Sequence, residues 1–239
     1  MREIRLEAID STNSYAKLHI DDLADRSVVH ALRQTSGRGR LNRSWVDLGE
    51  GNLFLSIVLK PSDVFNEVYT HLTQYLSVCL CKVLSQYGVE AQIKWPNDVL
   101  IDGKKIAGIL SESVIQGGRF KGVILGIGVN LNAKANDILN IPDKVATSLN
   151  IEVGKNVDAD CFRKQLLDVF FFNYENFLSM GFEMIKNDYI SRNCFIGKDI
   201  NIQVFDRIES GFAKSVNDKG ELVLRKDDED LVLTIGDIL

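Results

Sequence analysis

The sequence predicts an α+β fold, in which helices pack on a β-sheet and a small β-barrel follows at the C-terminal end. Two segments, 68–87 and 158–181, carry apolar residues at helical spacing and predict long amphipathic helices. Runs of apolar and alternating residues predict the strands of the sheet that these helices cover. After residue 193 the chain changes to short strand-like runs, a pattern typical of a small β-barrel.

The predicted elements follow in a simple order. A strand over 2–9 precedes a helix to about residue 23, and four residues between them can cap that helix: Asp10, Ser11, Thr12 and Asn13. The next strands are predicted over 27–32, 53–59, 91–95, 99–101, 105–114 and 120–131, with hairpin turns at Asp102-Gly103 and Gly117-Gly118. The last strands are predicted over 199–204, 211–216, 222–224 and 231–235. We therefore expect two domains, 1–193 and 194–239.

Composition limits the class of protein. The 239 residues suffice for one main core with a modest appendage, and a net charge of -5 argues against a surface built wholly for nucleic acid. No window is apolar enough to span a membrane and no signal-peptide core follows the charged start, so we expect a cytoplasmic protein. The cysteines form no Cys-x-x-Cys pair and are interpreted as reduced core thiols: Cys79, Cys81, Cys161 and Cys194.

The segment between the strands at 27–32 and 53–59 is rich in arginine and glycine. No acidic residue occurs from Ala31 to Val46, a stretch that holds Arg33, Arg38, Arg40 and Arg43. Two glycines allow backbone amides to turn toward an anion, and closely spaced arginines can close over a phosphate. The segment favours an anion-binding lid, and a basic surface loop and an RNA-binding tract remain open alternatives.

The segment Lys-Trp-Pro-Asn-Asp, residues 94–98, ends a predicted strand at a proline turn. Beside a nucleotide, Asp98 could hold Mg²⁺ together with phosphate oxygens, and Lys94 could meet phosphate. A plain β-turn with a nearby ion pair explains the segment equally well.

Two later strands also carry candidate binding residues. Alternation places Lys104 and Lys105 on opposite faces, with Lys105 on the face of Ala107 and Ile109, so one lysine can enter a covered site. A solvated hairpin flank is the alternative for these lysines. In the segment 126–132 small residues permit a flat ligand to approach the sheet, and an asparagine amide there offers a donor and an acceptor.

Common catalytic motifs are absent from the sequence. Gly126-Ile127-Gly128 lacks the third glycine of a dinucleotide turn, and no Walker motif, Gly-x-Ser-x-Gly elbow or His-Glu-x-x-His helix occurs. The three histidines are scattered along the chain. An enzyme without these groups is expected to catalyse a reaction that depends on charge stabilisation, such as transfer at phosphorus.

Together these segments resemble the biotin protein ligase family. The matching motifs occur in the family's order and approximate spacing: 10–13, 34–40, 94–98, 105–111 and 126–130. The resemblance implies a class II synthetase-like catalytic domain with a mixed sheet and packed helices over 1–193. It also implies a small SH3-like β-barrel over 194–239.

The family resemblance implies an activity with two steps. A ligase of this kind forms biotinyl-5′-AMP from biotin and ATP with Mg²⁺, then transfers biotin to a lysine of a biotin carboxyl carrier protein or domain of a biotin-dependent carboxylase. The chain resembles the short form of the family that lacks an N-terminal DNA-binding domain. We therefore expect no DNA partner and no membrane partner, and a homodimer is left open.

The resemblance also implies roles for individual residues. The implied catalytic residues are Lys105, Arg40 and Arg38. The implied biotin-binding residues are Ser11, Thr12, Asn13, Gln34, Arg38, Gly39, Arg40 and Lys105. The implied nucleotide-binding residues are Arg40, Trp45, Lys94, Asn97 and Asn130, and Asp98 is implied to hold Mg²⁺ through the phosphates.

Two positions depart from the family pattern. Asn42 stands where the family loop usually has glycine, although asparagine tolerates a positive φ better than most residues. Ile235-Gly236-Asp237 stands almost at the chain end where the family often has Gly-Gly-Glu, so a contribution of this tail to ATP binding is left open.

Two rival functions fit parts of the sequence. A lipoate ligase shares the general chemistry and fold, but its apolar dithiolane could not satisfy the polar set formed by Gln34 and residues 11–13. A non-catalytic RNA-binding protein would use the arginine-rich loop, and the acidic overall balance argues against it.

Overall fold

The computed structural model describes residues 2–62, 64–139, 141 and 145–239. The strands are β1 (Glu3–Ile9), β2 (Ser27–Gln34), β3 (Gly37–Arg38), β4 (Ser44–Trp45), β5 (Leu53–Leu59), β6 (Gln92–Lys94), β7 (Asp98–Ile101), β8 (Lys104–Gln116), β9 (Arg119–Val129), β10 (Asp199–Val204), β11 (Arg207–Val216), β12 (Leu222–Lys226), β13 (Glu229–Leu233) and β14 (Asp237–Ile238). The helices are α1 (Thr12–Leu18), α2 (Leu72–Gln86), α3 (Ala135–Leu139), α4 (Leu149–Val153), α5 (Ala159–Phe172), α6 (Tyr174–Met180) and α7 (Lys186–Ser191).

The main sheet has seven strands in the order β1-β2-β5-β9-β8-β7-β6. β1 and β2 are parallel, whereas every other neighbouring pair is antiparallel, so the sheet is mixed. The two predicted hairpin turns are present, with positive φ at Asp102 and Gly103 and at Gly117 and Gly118. The prediction of an α+β fold with a mixed sheet and packed helices is confirmed.

Helices α2 and α5 cover one face of this sheet. α2 follows a 3₁₀ turn in which Asn66 accepts from the Val68 amide, and Asp158 caps α5 by accepting hydrogen bonds from two backbone amides. Aromatic rings fill the space between the helices, since Tyr75 stacks on Phe177 at 4.3 Å and its hydroxyl donates to the carbonyl of Phe170. This layer holds most of the buried apolar side chains.

The opposite face of the sheet is covered only in part. α1 packs its apolar side on β2, β5 and β9 through a small cluster that includes Ala16, Ile20 and Ile124. α1 ends at Leu18 rather than near residue 23 as predicted. Beyond its end, the carbonyls of Ile20 and Leu23 accept hydrogen bonds from the Lys60 ammonium group. The remainder of this face is open to the cavity described below.

A second sheet forms the C-terminal part of the chain. Its five antiparallel strands pair in the order β13-β12-β11-β10-β14, so the predicted small β region is confirmed as a sheet. It contacts α2 through polar groups, because Gln74 Nε2 donates to the Gly220 carbonyl at 2.7 Å. The closure of this sheet into an SH3-like barrel and the domain boundary after residue 193 stay predictions.

Two local predictions differ from the structure. The helix predicted to end by residue 181 breaks at Asn173 into α5 and α6, because Asn173 leaves the helical region at φ -115°, ψ 11°. Cys79 and Cys81 are buried, and burial raises the pKa of each thiol to about 12. Cys161 is exposed in the first turn of α5, so the prediction of a core thiol was wrong there, whereas Cys194 is half-buried and packs against the core.

No helix in the described part of the chain is long and apolar enough to cross a membrane.

Candidate functional site

A cavity of about 540 Å³ opens on the partly covered face of the main sheet. The sheet forms its floor, and the start of α1, the arginine-rich loop and residues 145–146 form its walls. Every residue to which the family resemblance gave a role lines this cavity: Ser11, Thr12, Asn13, Gln34, Arg38, Gly39, Arg40, Trp45, Lys94, Asn97, Asp98, Lys105 and Asn130. Residues from segments far apart in the sequence therefore meet at one place.

Three glycines form the floor of the cavity. Gly108 and Gly128 are cross-strand partners on β8 and β9, and Gly126 lies two residues away on the same face. A methyl group on Gly128 would lie 2.5 Å from the ring of Trp45, and one on Gly126 would lie 2.1 Å from Oδ1 of Asn13. The floor is flat because glycine carries no side chain. A side chain at any of these three positions would clash with residues of the cavity wall.

Lys105 enters the cavity because β8 carries a bulge. Val99 pairs with Ala107 but Leu100 pairs with Lys105, so β8 has one extra residue at this point. Ala107 and Ile109 therefore point into the core under the helices, and Lys105 lies beside the floor glycine Gly108. The prediction that Lys105 shares its face with Ala107 and Ile109 was wrong, since simple alternation assumes a strand without a bulge.

The ammonium group of Lys105 is paired inside the cavity. Its Nζ lies 2.6 Å from Oδ1 of Asp98 and 5.5 Å from the centroid of the Trp45 ring. Both partners of the ion pair are only about a quarter exposed, at 27% and 24% of their side-chain surface. An anionic ligand that reaches Lys105 thus meets a cation whose position is already fixed.

The end of the cavity near α1 is lined by neutral polar groups. Gln34 Oε1 accepts from the Thr12 amide at 2.8 Å and lies 3.1 Å from the Thr12 hydroxyl. Because the amide of Thr12 can only donate, this contact fixes the Gln34 carbonyl toward α1 and leaves its NH₂ group for a ligand. Ser56 Oγ, which the sequence analysis missed, lies 2.6 Å from Asn13 Oδ1.

Glu112 adjoins this polar end and was also missed. It accepts hydrogen bonds from Asn13 Nδ2 and from Lys17 Nζ, both at 3.0 Å, and lies 3.4 Å from Nη1 of Arg38. Burial raises the pKa of Glu112, but these hydrogen bonds and the two cations together hold it below its usual value. An acidic residue within a largely apolar strand was the one signal for Glu112 in the sequence.

The arginine-rich loop is tied to the C-terminal sheet. Arg40 Nη1 donates to Asp237 Oδ1 at 2.9 Å, and Arg43 Nη2 lies 3.0 Å from Asp237 Oδ2. Burial lowers the pKa of Arg40, and the carboxylates of Asp237 and Asp98 oppose that effect. Asp237 lines the cavity, so the C-terminal tail reaches the site although it departs from the family motif.

The base of the same loop is closed by Asp47. Its Oδ2 accepts from Arg33 Nε at 2.7 Å and from the Gln34 amide at 3.1 Å, and its Oδ1 accepts from the Gly49 amide at 2.8 Å. Arg33 is therefore paired at the loop base and does not line the cavity. The left-handed residue of the loop is Leu41, with φ 52°, one position before Asn42.

Two asparagine side chains line the cavity away from α1. Asn97 Nδ2 donates to the carbonyl of Ile109 at 3.0 Å, which turns Oδ1 toward Arg40 at 3.3 Å. Asn130 Nδ2 donates to the carbonyl of Thr147 at 2.9 Å, so this side chain joins β9 to the wall of the cavity. Each amide is oriented by the backbone before any ligand binds.

The donor set suits a magnesium ion that is shared with phosphates. No group of three or more histidine, cysteine, aspartate or glutamate side chains that could hold a metal occurs in the part of the chain that the structure describes. Asp98 supplies a carboxylate at the cavity wall, and Mg²⁺ commonly takes one or two carboxylates with phosphate oxygens. A site of this kind would form only with a phosphate-bearing ligand present.

Comparisons with known proteins agree with this geometry. Residues 6–130 match the model of the biotin/lipoate A/B protein ligase family. The bifunctional ligase/repressor BirA of Bacillus subtilis is 31% identical over 220 residues, which cover 91% of this chain and 67% of that protein. The biotin--[acetyl-CoA-carboxylase] ligase of Paracoccus denitrificans is 33% identical over 225 residues, which cover 92% of each chain.

A solved structure extends the likeness to nearly the whole fold. The biotin protein ligase from Aquifex aeolicus in complex with biotin and ATP superposes with a TM-score of 0.84 at 26% identity, covering 100% of this chain and 97% of that one. The family model matches more than half of the chain, and two relatives share more than 30% of its residues. The protein is therefore a member of the biotin/lipoate A/B protein ligase family.

Proposed function

We propose that the protein is an ATP-dependent biotin protein ligase that forms biotinyl-5′-AMP and transfers biotin to a lysine of a biotin carboxyl carrier protein. One observation carries the proposal: three cations from two segments far apart in the sequence, Arg38 and Arg40 of the loop and Lys105 of β8, line one cavity with a polar end and a glycine floor. The named activities of the relatives from Paracoccus and Aquifex support the same function.

The polar end of the cavity suits the bicyclic head of biotin. A ureido group offers one acceptor and two donors, and the cavity supplies the free NH₂ group of Gln34 with hydroxyl and amide oxygens. We assign biotin binding to Ser11, Thr12, Asn13, Gln34, Arg38, Gly39, Arg40 and Lys105, which line the cavity. The flat floor leaves room for fused rings.

The opposite end suits ATP. We assign nucleotide binding to Arg40, Trp45, Lys94, Asn97 and Asn130, which line the cavity. The indole of Trp45 offers a flat surface to a base, and Arg40 and Lys94 offer charge to phosphates. Asp98 would hold Mg²⁺ together with phosphate oxygens, and the bound ion would neutralise phosphate charge.

In the first step the carboxylate of biotin attacks the α-phosphorus of ATP, and pyrophosphate leaves. Two anions must approach each other, so Arg38, Arg40 and Lys105 act as catalytic residues that offset the repulsion and stabilise the transition state. Lys105 is held by Asp98 at 2.6 Å, which makes its charge preorganised for this role. The product, biotinyl-5′-AMP, spans the cavity.

In the second step a lysine amine of the carrier attacks the acyl carbonyl, and AMP leaves. The amine must lose a proton, and we assign Asp98, whose carboxylate lines the cavity, as the acceptor. The carrier is a domain of a biotin-dependent carboxylase, by analogy with the named relatives. We further propose a cytoplasmic enzyme with an SH3-like C-terminal barrel over 194–239 that acts without DNA or membrane partners, with a homodimer left open.

Lipoate ligation is the competing function within the same family. The hydrogen-bonding groups at the α1 end of the cavity favour a ureido ring over an apolar dithiolane, which would leave them unpaired. Competition between biotin and lipoate for ATP-dependent activation distinguishes the two. We expect biotin to be preferred by a factor of at least about 10².

The test of the function uses the whole protein with labelled biotin, ATP, Mg²⁺ and a biotin carboxyl carrier domain. We expect label on the carrier, release of AMP and pyrophosphate, and no labelling of a carrier whose acceptor lysine is replaced by arginine. Label transfer from lipoate instead of biotin, or no ATP consumption with either acid, would contradict the proposal.

A further inference from the structure

Glu112 lies next to the biotin end of the cavity without lining it. The residue follows Gly108 and Leu110 on the cavity face of β8, and its side chain is 16% exposed. None of the roles assigned above uses this carboxylate. A buried anion at this place requires an explanation, because burial of an unpaired charge is costly.

Three donors from two different elements surround the carboxylate. Asn13 Nδ2 and Lys17 Nζ, one helical turn apart on α1, each donate at 3.0 Å, and Arg38 of the loop lies at 3.4 Å. The partners on α1 are separated from Glu112 by 99 and 95 residues of sequence. Glu112 therefore connects the start of α1, β8 and the arginine-rich loop.

The contact with Asn13 determines which way its amide faces. An ionised carboxylate only accepts, so it selects the orientation in which Asn13 Nδ2 points at Glu112 and toward the Leu110 carbonyl at 3.4 Å. The Asn13 carbonyl oxygen is then held on the side of Ser56, at 2.6 Å, and of the floor glycine Gly126. Without the carboxylate, only the longer contact with the Leu110 carbonyl, at 3.4 Å, would still favour this orientation of the amide.

We infer that Glu112 is a positioning residue that orients the Asn13 amide and so presents an acceptor to the ligand's ring N–H groups. The inference rests on the proposed function, since it assigns the acceptor to biotin recognition. Glu112 itself does not touch the ligand. Its substitution should therefore change biotin affinity far more than the rate of the chemical step.

The variant Glu112→Gln tests this, because glutamine keeps the shape but removes the charge and can donate. We expect the Kd for biotin, measured by calorimetry on the whole protein, to rise about tenfold or more, a common effect of losing a charge-assisted hydrogen bond. The kcat for adenylate formation at saturating biotin should stay within about threefold. Glu209→Gln is the matched control, because Glu209 accepts from Lys226 in the C-terminal sheet, remote from the cavity, and its loss should leave the Kd unchanged.

A double-mutant cycle distinguishes positioning from a general structural effect. If Glu112 acts through Asn13, the variant carrying both Asn13→Ala and Glu112→Gln should bind biotin as Asn13→Ala does, within about twofold. Losses that multiply, or an unchanged Kd in Glu112→Gln, would overturn the inference. If Glu112→Gln does not fold, as judged by circular dichroism, Glu112→Asp replaces it, and its withdrawn carboxylate should raise the Kd by a smaller factor.

Failure of the proposed function gives a different result. In that case the wild-type protein would neither bind biotin nor form the adenylate. The inference on Glu112 would then be wrong together with the proposed function. A wild type that binds biotin while Glu112→Gln binds it equally well would refute the role of Glu112 alone.

Discussion

The two faces of the main sheet show how one strand can serve stability and function together. On β9, Val123, Leu125 and Ile127 point into the core beneath α2 and α5, whereas Gly126 and Gly128 on the other face form the cavity floor. The first face carries large apolar side chains, whereas the second face has no side chains where it forms the cavity floor. Stabilising and ligand-binding residues therefore alternate along this strand. Substitutions on the first face should change mainly stability, and those on the second mainly ligand binding.

The largest effect is expected from the helix-covered face. Phe170→Ala removes a fully buried ring that packs on Tyr75 and Tyr174, and should lower the free energy of unfolding by about 3–5 kcal/mol. The folded fraction should keep the wild-type Kd for biotin. Urea denaturation measures the loss, with Phe172→Ala, 84% exposed on the same helix, as a control that should change stability by less than about 0.5 kcal/mol.

The next effect is expected on the cavity face and in catalysis. Lys105→Ala should reduce adenylation by about 10²–10³, because it removes a preorganised charge from the reacting groups. Pyrophosphate exchange measures the rate, and Lys104→Ala, exposed at the same hairpin, is the matched control with no expected effect. Near wild-type exchange in Lys105→Ala would refute the role of this lysine.

A smaller effect is expected from the floor itself. Gly128→Ala would place a methyl group 2.5 Å from the Trp45 ring, so the indole must move and adenylation should fall by about tenfold. In a Trp45→Ala background, which already lacks the indole, adding Gly128→Ala should cause no further loss, since the clash is absent. A loss of about tenfold from Gly128→Ala in that background would mean that the floor does not act by positioning the indole.

The smallest effect is expected in the pH dependence of stability. The pKa of Glu112 is lowered in the folded protein, so its ion pairs stabilise the fold above its ordinary value of 4.5 and lose that contribution as pH falls through the lowered pKa. The difference in unfolding free energy between wild type and Glu112→Gln should be at most about 1 kcal/mol near neutrality. It should shrink below about pH 4.5 in denaturant titrations, and a difference that grows on acidification would contradict the assignment.

Much of the fold follows from local signals in the sequence. β5 and β10 occur at the predicted residues, and the two hairpin turns fall at the predicted dipeptides, because periodicity and positive φ preferences act between near neighbours. The break at Asn173 was not foreseen, since the apolar pattern continues through it. The motif resemblance likewise selected side chains that all line one cavity, although their individual roles stay proposals.

The order of residue types along the chain is read from the sequence: spaced glycines at 126 and 128, a loop with four arginines, and a strand that begins with two lysines. The contacts that these residues make are set by the folded structure. The bulge that turns Lys105 into the cavity, the contact of Glu112 with Asn13 99 residues away and that of Asp237 with Arg40 197 residues away depend on strand register and sheet order. Those features arise from packing of the whole chain, and no local preference encodes them.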